Sequence, residues 1–99
     1  MTPRLALQEE KIRDFCRRHH VRKMSLFGSV LRDDFRPSSD VDVLVDFDEG
    51  HVPGLEFVRM MEELSKIFDG RRVDLVTPRG LHPLLRERVL SSAAVVYGA

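Results

Sequence analysis

The chain has 99 residues, no formal net charge and one cysteine, with 42% hydrophobic and 32% charged side chains. This length predicts one domain over residues 1–99, and this apolar fraction without net charge excludes a disordered chain. No apolar run approaches the roughly 20 residues of a membrane span, and neither a secretory signal nor a disulfide partner for Cys16 is present, so we expect a small cytoplasmic globular protein without a membrane partner.

The first half of the chain alternates helical and strand patterns. Thr2-Pro3 is a typical helix start, and apolar residues then recur at helical spacing as far as His19. Asp40 to Phe47 alternates carboxylates with branched apolar residues, which predicts a strand with one buried face. In chain order, the predicted elements are a helix over 3–19, a strand over 21–27, a brief helix over 30–35 and a strand over 41–47.

The second half repeats this alternation. Leu55, Val58, Met61, Leu64 and Phe68 have the spacing of an amphipathic helix. The predicted elements are a helix over 55–68, a strand over 72–77, a helix over 81–91 and a strand over 94–97. Strands separated by helices predict an α/β domain of the two-layer α+β kind, in which a small mixed sheet of about four strands is covered by helices.

Three carboxylates are candidates for a metal site. Asp40 and Asp42 are two residues apart on a predicted strand, so their side chains project from one face. Two carboxylates this close repel each other unless a cation or a proton lies between them. Asp74 lies within the third predicted strand, and it joins the pair if that strand is their neighbour. Such clusters hold divalent metals for phosphoryl or nucleotidyl transfer.

A glycine and a serine follow the first strand and are candidates for phosphate binding. At Gly28-Ser29 the strand gives way to a short helix, where backbone N–H groups attract anions. Taken alone, this pair is more often an ordinary turn. The charge pattern agrees with an anion-handling metal site, because residues 33–49 have a balance of −6 between basic segments at 1–23 and 71–88. A solvated acidic loop would give the same charge pattern.

In combination, these residues resemble a known family. Gly28-Ser29, followed after ten residues by Asp40-x-Asp42, is similar to the signature of the DNA polymerase β-like nucleotidyltransferases, and residues 25–45 look like its minimal nucleotidyltransferase (MNT) branch. The resemblance continues through residues 73–78 and 85–90. It implies the polymerase β-like nucleotidyltransferase fold.

The resemblance also implies roles for individual residues. Asp40 and Asp42 would bind two Mg²⁺ ions, and Asp74 would bind the catalytic ion and help to deprotonate the attacking hydroxyl. Gly28 and Ser29 would hold the β- and γ-phosphates of ATP or another nucleoside triphosphate. A basic position of the family motif falls on Arg32, which would contact the triphosphate. Two departures from the family pattern, at Asp33 and Ser38, concern the shape of the loop and leave the three carboxylates intact.

The function implied is that of an antitoxin enzyme. Proteins of the MNT branch are paired with small helical HEPN-domain ribonuclease toxins, and some of them adenylylate a toxin tyrosine. We therefore expect AMP transfer from ATP to a hydroxyl of such a partner. The alternative is a non-catalytic module that neutralises the same partner by occlusion.

Three other functions are disfavoured by the sequence. A calcium loop at 46–50 lacks the required oxygen spacing. A glycosyltransferase would need a larger nucleotide-sugar domain than 99 residues provide. We do not expect direct nucleic-acid binding, because no aromatic residues are interleaved with Arg71-Arg72.

Overall fold

A computed structural model describes residues 8–31, 40–51 and 53–98, with the side chain of Ser29 excepted. Thr2-Pro3, Arg32, Asp33, Ser38 and most of the predicted 30–35 helix lie outside the described residues. The helices and strands are α1 (Glu9–Arg18), β1 (Val21–Phe27), β2 (Val41–Phe47), α2 (Glu56–Ile67), β3 (Val73–Val76), α3 (Pro83–Ser92) and β4 (Ala94–Tyr97), and short 3-10 turns span Gly28–Leu31 and Pro78–Gly80.

The four strands form one mixed sheet in the order β3-β2-β1-β4. β1 pairs antiparallel with both β2 and β4, whereas β2 and β3 are parallel and are joined through α2. The predicted two-layer domain with a four-stranded mixed sheet is confirmed. β3, which carries Asp74, lies directly beside β2, which carries Asp42, as the predicted carboxylate cluster requires.

Helices α1 and α2 cover one face of the sheet. Val41, Val43 and Val45 point from β2 into this layer and are fully buried, as the alternation of the strand predicts. Helix α1 contributes Phe15 and Cys16, both fully buried. Burial raises the pKa of the Cys16 thiol to about 12, so this cysteine is a small core residue and not a reactive thiol.

The predicted core face of α2 is only partly correct. Met60, Leu64 and Ile67 form the buried row, whereas Leu55 and Val58 have exposed fractions of 95% and 54%. Leu55 is exposed because α2 begins at Glu56 and leaves it before the first turn, and Val58 is exposed because it lies nearly opposite the buried row around the helix. Among the described residues, no helix is long and apolar enough to span a membrane.

Candidate functional site

The turn after β1 is built around Gly28. This residue begins the 3-10 turn Gly28–Leu31 and has a φ of +75°, in the left-handed region that side chains disfavour. A Cβ atom at this position would overlap Asp42 Oδ2. Gly28 therefore lets the backbone approach the Asp42 carboxylate more closely than any other residue would allow.

Parallel pairing brings two of the predicted carboxylates together. Asp42 on β2 is the register partner of Asp74 on β3, and partners in adjacent strands are about 4.8 Å apart and point to the same face. That face is the one opposite α1 and α2, since the flanking residues Val41 and Val43 are buried under the helices. Asp42 is half-buried and Asp74 is exposed.

The third carboxylate, Asp40, lies one residue before β2 and is exposed. The Val41 amide donates to the Arg72 carbonyl oxygen at 2.8 Å, so pairing with the next segment begins immediately after Asp40. Within residues 8–31, 40–51 and 53–98, no three acidic, histidine or cysteine side chains are grouped closely enough to hold a metal ion. The structure thus places Gly28, Asp42 and Asp74 together, and the full triad of carboxylates stays a prediction.

The chemistry of these donors suits a hard divalent cation. Carboxylate oxygens are the ligands that Mg²⁺ prefers, and Mg²⁺ sites with few protein ligands are completed by water and substrate phosphate. The missing side chain of Gly28 lets the backbone of the turn lie directly against the Asp42 carboxylate, so the turn and this donor are close neighbours. The residues therefore fit Mg²⁺ bound together with a nucleotide triphosphate.

Same-face neighbours of Asp42 extend the site along the sheet. Phe27 is its register partner on β1, and Leu44 follows two residues later on β2, opposite Ser25. Sequence reasoning did not single out these three residues. The period of two along a strand could have identified Leu44, because alternation alone places it on the same face as Asp42.

A large cavity lined by described residues lies away from this site. It has a volume of about 560 Å³ and lies beside Asp46, Thr77 and Arg79, near the carboxyl ends of β2 and β3. Asp46 is four residues from Asp42, roughly 13 Å along an extended strand. Position on the sheet, and not cavity size, therefore identifies the candidate site.

Comparison with known proteins agrees with the geometry. The sequence profile of the nucleotidyltransferase domain family matches residues 9–96, which include every element described above except the last residue of β4, Tyr97. The chain belongs to this family. Gly28, Asp42 and Asp74 all lie in the matched region of this nucleotidyltransferase-domain protein.

Three individual proteins illustrate the similarity. Protein adenylyltransferase MntA of Thermococcus cleftensis is 39% identical over 80 residues, which are 80% of this chain and 78% of the relative. A solved structure described as "putative minimal nucleotidyltransferase" is 42% identical, with a TM-score of 0.71 and coverage of 87% of this chain and 86% of the other.

The third is a structure of a tri-AMPylated HEPN toxin in complex with MNT antitoxin, from Shewanella oneidensis. It matches with a TM-score of 0.65 at 24% identity, and covers 92% of this chain and 70% of the other. At this identity the likeness shows a shared fold. The family and the fold implied by the sequence resemblance are thus confirmed.

Proposed function

We propose that this nucleotidyltransferase-domain protein transfers AMP from ATP to a hydroxyl, expected to be that of a tyrosine, on a HEPN-domain toxin and thereby acts as its antitoxin. The observation that carries the proposal is the placement of Asp42 beside Asp74 on the open face of the sheet, which is the face opposite α1 and α2. The backbone of Gly28 lies directly against the Asp42 carboxylate there. The relative named a protein adenylyltransferase and the AMPylated toxin in a complex of the same fold support this acceptor class.

The proposed metal ligands are Asp40, Asp42 and Asp74. Asp40 and Asp42 would hold two Mg²⁺ ions, and Asp74 would complete the ligand set of one. When bound, the ions neutralise the triphosphate and stabilise the departing pyrophosphate. Asp74 is the exposed member of the register pair, so its carboxylate is open to an incoming acceptor and can help to take the hydroxyl proton.

The turn after β1 would bind the nucleotide. Backbone N–H groups at the start of a helical turn bind phosphate oxygens, and the missing side chain of Gly28 places this turn directly beside Asp42. Ser29 would add a hydroxyl donor and Arg32 a positive charge. Positioning of the triphosphate against the two carboxylates then supplies much of the rate acceleration.

We propose that the protein works in the cytoplasm. ATP is the proposed substrate, and the single cysteine is buried as a thiol, which is typical of proteins from reducing compartments.

Isosteric removal of single charges tests the proposal. In an assay with labelled ATP, Mg²⁺ and the HEPN-domain partner, Asp42→Asn and Asp74→Asn should lower the rate of label transfer at least about a hundredfold, since each removes a metal ligand. The matched control is Asp48→Asn, an exposed aspartate just beyond the far end of β2, which should stay within about twofold of wild type.

Urea unfolding distinguishes a catalytic loss from a folding defect. Asp42→Asn and Asp74→Asn relieve repulsion between neighbouring carboxylates, so their midpoints should equal or exceed that of wild type without metal. Wild-type rates in both variants would show that these carboxylates are not metal ligands, and the proposed transfer would fail.

A further inference from the structure

Helix α3 leaves its large apolar side chains exposed. None of its residues is buried, and Leu84, Leu85 and Leu90 have exposed fractions of 84%, 50% and 50%. Leu84 and Leu90 are six residues apart and therefore point about 120° away from each other around the helix. The two leucines thus face different surroundings, and Leu90, but not Leu84, is among the described residues that line one small cavity on the sheet.

That cavity is a small apolar groove between α3 and the open face of the sheet. Its volume is about 90 Å³. Small-molecule sites usually have volumes of about 300–1,000 Å³, so this cavity is too small for a nucleotide. Its volume equals that of about three water molecules, which is enough for a single side chain. The residues lining it are Lys23, Ser25, Leu44, Asp46, Pro78, Leu90, Ala93 and Val95.

The groove lies close to the candidate active site on the same face of the sheet. Leu44 lines it from β2, and Asp42 lies two residues earlier on the same strand and the same face. Two residues along a strand correspond to about 7 Å. A protein segment that places one side chain in the groove therefore brings its neighbouring residues close to Asp42.

The charges around the groove favour an acidic partner. Residues 78–92, which contribute Pro78 and Leu90 to its lining, contain Arg79, Arg86 and Arg88 against the single acid Glu87. Arg86 is held in place because its Nε donates to the Pro78 carbonyl oxygen at 3.0 Å. Lys23 adds a positive charge, and the one carboxylate of the groove, Asp46, is paired with Arg22 at 2.7 Å.

We infer that this groove is the docking site of the acceptor protein: it takes one apolar side chain from an acidic segment of that protein, between Leu90, Val95 and Leu44. The inference rests on the proposed function, because it assigns the acceptor of that transfer to a surface of this chain. Half-exposed Leu90 and Val95 would become buried in the complex. Small apolar pockets of this kind often supply most of the affinity of an interface.

The test compares two leucines of the same helix. Leu90→Ser and Leu84→Ser lose the same atoms, but only Leu90 lines the groove. Binding of the purified HEPN-domain partner is measured without ATP, with both substitutions made in the Asp42→Asn background, so that affinity is read apart from transfer. Leu90→Ser should raise Kd about tenfold, Leu84→Ser should leave it within about twofold, and added salt should weaken binding.

In the transfer assay with Asp42 intact, Leu90→Ser should raise KM for the partner about tenfold and leave kcat within about twofold, as expected for a lost docking contact. Four outcomes would overturn the docking site. Leu90→Ser could bind the partner with unchanged affinity, or both serine variants could lose affinity equally. The Asp42→Asn parent could fail to bind the partner, or Leu90→Ser could change self-association of this chain in place of partner binding. Binding that depends on Leu90, without AMP transfer by wild type, would instead overturn the proposed function and leave the docking site supported.

Discussion

Gly28 combines a positive φ with close contact to a proposed metal ligand. At +75°, its backbone is strained for any residue with a side chain, and a Cβ atom would overlap the Asp42 carboxylate. Gly50 has a φ of +82° but nothing within 4 Å of the same atom. Substitution of Gly50 by alanine therefore measures the cost of the backbone conformation alone. Substitution of Gly28 adds the cost of the overlap with Asp42.

We expect Gly50→Ala to lower the free energy of unfolding by about 1–2 kcal/mol, the usual cost of left-handed backbone for an L-residue. Gly28→Ala should lower it further and weaken Mg²⁺-dependent ATP binding at least about tenfold, because Asp42 must move. Urea unfolding and ATP titration measure both effects. Equal ATP affinity in the two alanine variants would contradict a phosphate-binding role for the turn.

At the scale of elements, alternation and turn residues predicted the sheet well. The bounds of β1, β2 and β4 are those expected, because Gly28-Ser29 ends the first strand and apolar residues set between carboxylates mark the second. Whether Asp74 lies beside Asp42 depended on the order of the strands in the sheet. Periodicity does not give this order, because it shows which residues share a face of a strand but not which strands are neighbours. The apolar row of α2 was partly misassigned because Leu55 has helical spacing but lies before the helix.

Helices α1 and α2 are joined by a charged contact at the edge of the core. Glu63 on α2 lies 2.6 Å from Arg18 Nη2 and 2.8 Å from His19 Nε2. Partial burial alone would raise the pKa of Glu63, but the hydrogen bonds from Arg18 and His19 outweigh it and hold that pKa below its ordinary value of 4.5. Ionised Glu63 therefore stabilises the fold above the pKa of the unfolded chain, and this stability is lost as pH falls through the lowered folded-state pKa.

We expect Glu63→Gln to lower the free energy of unfolding by about 1 kcal/mol or less at pH 7, because Arg18 is half exposed. The difference from wild type should shrink at acid pH, where Glu63 is protonated in both states. Chemical denaturation between about pH 7 and pH 3 measures this, with the exposed neighbour Glu62→Gln as control. A deficit in Glu63→Gln that persists unchanged at acid pH would show that the carboxylate charge is not responsible.

At the scale of the whole molecule, one sheet carries two different faces. The face under α1 and α2 holds the hydrophobic core, and the opposite face presents Asp42, Asp74 and the groove at Leu90. The core could be predicted from apolar periodicity. The groove could not, since it depends on where Leu90 of α3 lies relative to β1, β2 and β4, and the leucines of α3 do not share one face.

This two-faced arrangement leaves two ways to neutralise a toxin, by modifying it or by covering it. If the open face transfers AMP, toxin co-expressed with wild type should gain mass in steps of one AMP, and toxin co-expressed with Asp42→Asn should not. Asp42→Asn keeps the side-chain shape and the groove while it removes the charge of a proposed metal ligand, so it separates catalysis from docking.

Growth of the co-expressing cells supplies the second readout, with Leu90→Ser as the variant that weakens docking and keeps the carboxylates. Neutralisation by AMP transfer predicts that Asp42→Asn fails to protect cells and that Leu90→Ser protects them only at raised expression, because a weaker encounter is offset by concentration. Equal protection by wild type and Asp42→Asn, with no nucleotide on the toxin in either case, would favour occlusion, since a covered toxin needs no phosphate chemistry.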